Sequence, residues 1–266
     1  MAQDSRGHSR FEGHEYPQRV PEPGQIRAGR PAPWADLDAS QRRGLTLAHV
    51  EARLKSAGRL FEVAPLPVEV AELAVVADGA NQPITARSAV LVALFEEDGE
   101  TRVVLTRRSF DLRHHQGEIA LPGGRSDDGE SPVDTALREA REEVGLESEH
   151  VKVVGWLSPI VTFALGSSIW PIVGRVAEPP ELVPGLGEVD RVFTVALSDL
   201  LADGAFVEEL WRRDAPRPGA DVEGFFPIYF FRVPSDLIWG ATARILTELL
   251  CVAVDVEWPN AQRRWG

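Results

Sequence analysis

The run Gly124 to Leu146, GRSDDGESPVDTALREAREEVGL, constrains this chain most, because it specifies a helix at both ends and loads one side of it with acid. Ser131 is a good N-cap, Pro132 suits the first helical position, and Asp134 can reach back in a variant of the capping box. Gly145 stands where a left-handed helix terminus is wanted. Leu137, Ala140 and Val144 recur at spacings of three and four, which makes an apolar stripe for a core. The pattern predicts a helix of about 13 residues behind a glycine loop. Residues three and four apart share a face, so Glu139 stacks over Glu142 and Glu143, with Arg138 at the edge of the stripe. Like charges so placed repel by roughly 0.2–0.5 kcal/mol per pair. The cluster is therefore either a solvated acidic face or a site for a cation. Carboxylates are hard oxygen ligands, and they suit Mg2+ or Mn2+.

Charge narrows what such a site can serve. The net charge of -13 argues against nucleic-acid or anionic-membrane partners. An anionic substrate then needs a local basic patch. Five arginines (102, 107, 108, 113 and 125) lie between Arg102 and Arg125, against only Asp111 and Glu118. Arginine's planar fork donates paired hydrogen bonds to phosphate. The alternative is a solvated loop whose arginines pair with the acidic surface. His114 and His115 fit hydrogen-bonding or surface roles better than catalysis.

The helix and its loop resemble the Nudix box, G-x5-E-x7-R-E-U-x-E-E-x-G-U with U a bulky aliphatic. The match is carried by Gly124, Glu130, Arg138, Glu139, Ala140, Glu142, Glu143, Gly145 and Leu146. All seven positions that demand one residue type agree, and Ala140 alone is smaller than usual. Residues 104 to 124, VLTRRSFDLRHHQGEIALPGG, are similar to the signature of the coenzyme A diphosphatase branch. Leu105, Thr106, Arg108, Ser109, Arg113, Gly117, Pro122, Gly123 and Gly124 fit its spacing, with Val104 and Leu121 in place of Leu and Phe. Glu188 to Asp190 and Ile238 to Arg244 are similar to later stretches of that branch. The resemblance covers residues 87 to 250 and leaves the first 60 or so without a match.

The resemblance implies an activity and a set of roles. It implies hydrolysis of the diphosphate of coenzyme A or acyl-CoA to adenosine 3',5'-bisphosphate and phosphopantetheine or its acyl form, with Mg2+ or Mn2+. Glu139, Glu142, Glu143 and the Gly124 carbonyl would hold metal, and Arg138 would orient the glutamates. Arg138, Glu142 and Glu188 are catalytic candidates, Glu188 as a loop acid near the metal. Arg108, Arg113 and Arg125 are candidates for binding substrate, and Glu130 lies at the cleft edge. Two alternatives stay open. One is the same chemistry on ADP-ribose, NADH or an oxidised nucleoside triphosphate; the other is a sensor of this fold that binds a metabolite without cleaving it.

Around this centre the chain reads as α+β, an α/β/α sandwich rather than a parallel doubly wound sheet, and the resemblance implies a mixed central sheet. Residues 1–35 are expected to be a disordered arm, 36–86 a helical extension with a helix over about 40–57, 87–256 the hydrolase domain, and 257–266 a tail. Strands are expected at 88–95, 102–107, 151–157, 169–176 and 191–195, a hairpin at 206–211 and 225–231, and a final helix at 242–254. No apolar stretch reaches membrane-spanning length, the first 30 residues lack a signal-like segment, and Cys251 is the single cysteine. A cytoplasmic location is the expectation. Oligomeric state is left open, a homodimer being compatible with the sequence.

Overall fold

The computed structural model describes residues 18, 20–21, 23–60, 86–162, 167–212 and 223–258. In chain order, the elements begin with strand β1 (Gln25–Ala28), helix α1 (Leu47–Ser56), and strands β2 (Ala86–Glu97), β3 (Glu100–Arg108), β4 (Ile119–Ala120) and β5 (Gly123–Arg125). Helix α2 (Pro132–Val144) leads through a short 3-10 turn to β6 (Val151–Trp156), β7 (Ile160–Thr162), β8 (Ser167–Val176) and β9 (Val189–Ala196). A single helical turn, α3 (Leu197–Leu200), precedes β10 (Phe206–Arg212), β11 (Phe225–Val233), β12 (Asp236–Trp239) and helix α4 (Gly240–Ala253).

Strands β2 to β9 form an eight-stranded mixed sheet, in which β2 runs parallel to β8 and antiparallel to β3. Period-two alternation sorts its side chains into two layers. Ala89, Leu91, Ala93 and Phe95 of β2 face α2, where Ala136, Ala140 and Val144 meet them. Val92, Leu94, Val103 and Leu105 face the other way, onto α1 and α4. The α+β reading with a mixed central sheet holds. The β2–β3 turn is tight because Asp98 and Gly99 both take positive φ. Its flanking acids anchor α1: Glu96 accepts from the Leu47 amide at 2.8 Å and Glu100 from the Gly44 amide at 2.9 Å.

One expectation is met in a second sheet, and three need correction. The expected hairpin exists, but it belongs to a separate four-stranded antiparallel sheet, ordered β1-β10-β11-β12, which shares a core with α4. Within the expected disordered arm, β1 pairs with β10 and Trp34 is fully buried against Phe206 and Phe231. Four exposed residues are too short a run to mark a strand in the sequence, and the order of β1 comes from its pairing with β10 and from Arg27, whose guanidinium lies 3.9 Å from the Phe225 ring centre. Helix α1 starts later than residue 40, because Thr46 caps it by accepting from the His49 amide. At the other end, Trp258 is buried under the Arg244 guanidinium, so the domain runs past 256. Residues 1–17, 61–85 and 259–266 lie outside the described residues, and with them most of the expected tail.

Candidate active site

Helix α2 forms where its end signals place it. Ser131 accepts from the Asp134 amide and its hydroxyl donates to the Asp134 carboxylate at 2.6 Å, a closed capping unit. Gly145 ends the helix at φ 70°, in the left-handed region that glycine adopts without strain. Between these ends, Arg138 spends all five of its N–H donors. It grips Glu130 through two bonds of 2.9 and 3.1 Å, reaches Glu139 at 2.9 Å and Glu142 at 3.2 Å, and donates to the Arg125 carbonyl at 3.0 Å. One guanidinium thus ties the loop before the helix to two of its acids.

Glu130 is shaped by that grip. The Arg138 bonds hold its carboxyl down at about 2, helped by the Asp127 amide and the Thr135 hydroxyl. It belongs to the scaffold of the cleft. Glu143 is the opposite case: burial pushes its carboxyl up to about 7, and Glu139 and Glu188 add like charge. The Gly123 amide, donating to Glu143 at 3.0 Å, and Arg108, at 3.8 Å, offset only part of this. Burial also raises Glu139, with Glu142 and Glu188 contributing. The backbone closes around these acids. A β-carbon on Gly124 would lie 2.5 Å from a Glu139 carboxylate oxygen and displace it, and one on Gly123 would lie 2.4 Å from the Ala89 carbonyl, so glycine at these places lets β5 approach this closely. The loop from 181 to 188 is pinned to the helix end by the Gly185 amide donating to the Glu143 carbonyl at 2.9 Å.

The expected site residues fall into two groups. Gly124, Arg138, Glu139, Glu142 and Glu143 come together on β5 and α2, and Glu188, exposed, acts electrostatically on Glu139 and Glu143. Arg108 joins them from β3, and Arg125 lies on β5 beside them with its side chain exposed. Arg113 is exposed in the loop between β3 and β4. The patch of five arginines does not form as one surface. Strand alternation turns Arg107 to the opposite face from Arg108, where it binds the buried Asp236, and Arg102 pairs with Thr194 and Glu97. His115, at φ 58°, bonds Glu118, which raises its imidazole above the ordinary value.

Among the described residues, no three acidic, histidine or cysteine side chains enclose a point as a finished cage. Arg138 holds one oxygen each of Glu139 and Glu142. The donor set nevertheless fits a hard divalent cation: it is all oxygen, carries like charge that Arg138 and Arg108 offset only in part, and rests against a glycine backbone. The Gly123 amide contact and the Gly185 anchor were not legible in the sequence. The glycines at these positions were their only signal.

Comparison with known proteins places this geometry. The NUDIX domain model matches residues 85–212. Nudix hydrolase 3 of Caenorhabditis elegans is 40% identical over 115 residues, which are 42% of this chain and 48% of that protein. Nudix hydrolase 15, mitochondrial, of Arabidopsis thaliana is 36% identical over 181 residues, 66% of this chain and 60% of that protein. The Nudix hydrolase NudL of Pectobacterium atrosepticum, named as uncharacterized, is 34% identical over 164 residues, 61% of this chain and 80% of that protein. The chain thus spans about half to three fifths of the worm and plant proteins.

Proposed function

The chain belongs to the Nudix hydrolase family, and we propose that it hydrolyses the diphosphate of coenzyme A or an acyl-CoA, using Mg2+ or Mn2+. The observation that carries this reading is the 3.8 Å approach of Arg108 to Glu143. It joins the arginine loop, which bears the likeness to the coenzyme A diphosphatase branch, to the carboxylate helix in one cleft.

A divalent ion bound there supplies charge neutralisation for the phosphoryl oxygens and a water of lowered pKa. Glu139, Glu142, Glu143 and the Gly124 carbonyl would hold it. Arg138 keeps Glu139 and Glu142 in register, since its position is fixed from behind by Glu130. Glu188 sits exposed beside Glu139 and Glu143, free to take the proton of the attacking water. Arg108, Arg113 and Arg125 orient the phosphates.

Chromatography after incubation with CoA and Mg2+ or Mn2+ tests the reading. The expected products are adenosine 3',5'-bisphosphate and phosphopantetheine. Fast turnover of ADP-ribose or NADH with no bisphosphate from CoA would assign the substrate elsewhere. Binding of a nucleotide with no turnover of any diphosphate would make the protein a sensor.

A further inference from the structure

Asp236 is fully buried at the start of β12, in the four-stranded sheet and outside the span 85–212 that the family model matches. It accepts from Arg107 Nε at 3.0 Å and Nη2 at 2.5 Å, and from Arg191 Nη2. Those two arginines are direct cross-strand partners on β3 and β9. Like charges directly opposite in an antiparallel pair repel, and here one buried carboxylate lies between them. Asp190 adds a longer contact to Arg107 at 3.6 Å.

The position of this pair gives it consequence. The β3–β9 register slips immediately after it: Arg107 faces Arg191, and Arg108 faces Val189. A slip of this kind re-aims the side chains beyond it. Beyond it lie Arg108, turned to Glu143, and Glu188, whose carbonyl accepts from the Ser109 amide at 2.8 Å.

We propose that Asp236 is a positioning residue: by bridging Arg107 and Arg191 and offsetting their repulsion it fixes the slipped end of the β3–β9 ladder, and so the placement of Arg108 and Glu188 beside Glu143. The second sheet thereby sets the geometry of the catalytic one. This rests on the hydrolase reading only for its kinetic consequence.

The test compares wild type with D236N and with the double variant D236N/R107Q, in which the opposed charges are again relieved. Hydrogen exchange at the Ser109 amide reports the ladder end whatever the substrate. D236N is expected to speed that exchange at least tenfold, and the double variant to restore most of the protection. Where CoA is turned over, kcat/KM should fall roughly 10- to 100-fold in D236N and recover in the double variant. Inactive wild type would sink the hydrolase reading alone, leaving exchange to judge Asp236. Unchanged exchange in D236N, or no recovery on relieving the charge, would overturn the proposal. If D236N does not fold, the double variant decides by itself: wild-type protection at Ser109 supports the role, and lost protection overturns it.

Discussion

Glu143 and Glu130 sit on the same short stretch of chain and answer to opposite forces. Glu143 is buried among like charges, a state that makes sense for a group that meets a cation. Replacing it with Gln keeps shape and hydrogen bonding but removes the charge, so E143Q is expected to lose at least ~100-fold in kcat with the fold retained by circular dichroism. Undiminished turnover would remove Glu143 from the proposed ligand set. Glu130 is held at about 2 by Arg138, well below its unfolded value of 4.5. Its contribution to stability is therefore complete above the unfolded value and is lost as pH falls towards 2. Thermal melts of wild type and E130Q should differ most near pH 6 and converge as pH drops through that window. A gap that is constant with pH would mean the Arg138 grip does not depend on the charge of Glu130. The placement of these residues was partly legible beforehand. The spacing of Arg138, Glu139, Glu142 and Glu143 is local to one helix, whereas the Gly123 and Gly185 contacts join segments distant in sequence.

Helix α2 was legible almost to the residue because both ends are written locally, in Ser131, Pro132 and Gly145. S131A should cost about 1 kcal/mol in urea unfolding, since it strands the Asp134 amide. Stability unchanged within a few tenths of that value would show that the cap contributes little. Elements without local signals were missed. β1 is four exposed residues ordered by a partner nearly two hundred positions away. The arginine patch failed for a related reason: sequence spacing counted five charges in one segment, and strand alternation sent Arg107 and Arg108 to opposite faces.

At the scale of the whole molecule, the central mixed sheet is covered on one side by α2, which carries the acids, and on the other by α1, α4 and the second sheet. The pattern of strands and helices pointed to an α+β sandwich and the family resemblance to a mixed sheet, but neither gave a sign that the β10–β11 hairpin would leave it. That partition depends on which strand edges meet, a long-range choice that periodicity does not encode. Its outcome places Asp236 against β3 and β9 from outside the span matched by the family model. The described residues contain no helix long and apolar enough to cross a membrane. The proposed site lies where Arg108, at the end of β3, approaches Glu143 on α2. The central claim is tested most directly by kcat/KM for CoA, 3'-dephospho-CoA, acyl-CoAs, ADP-ribose, NADH and nucleoside triphosphates, each with Mg2+ and Mn2+. The account predicts that CoA or an acyl-CoA leads the panel and that 3'-dephospho-CoA falls behind CoA. A lead for ADP-ribose, NADH or a nucleoside triphosphate, with CoA left intact, would contradict it.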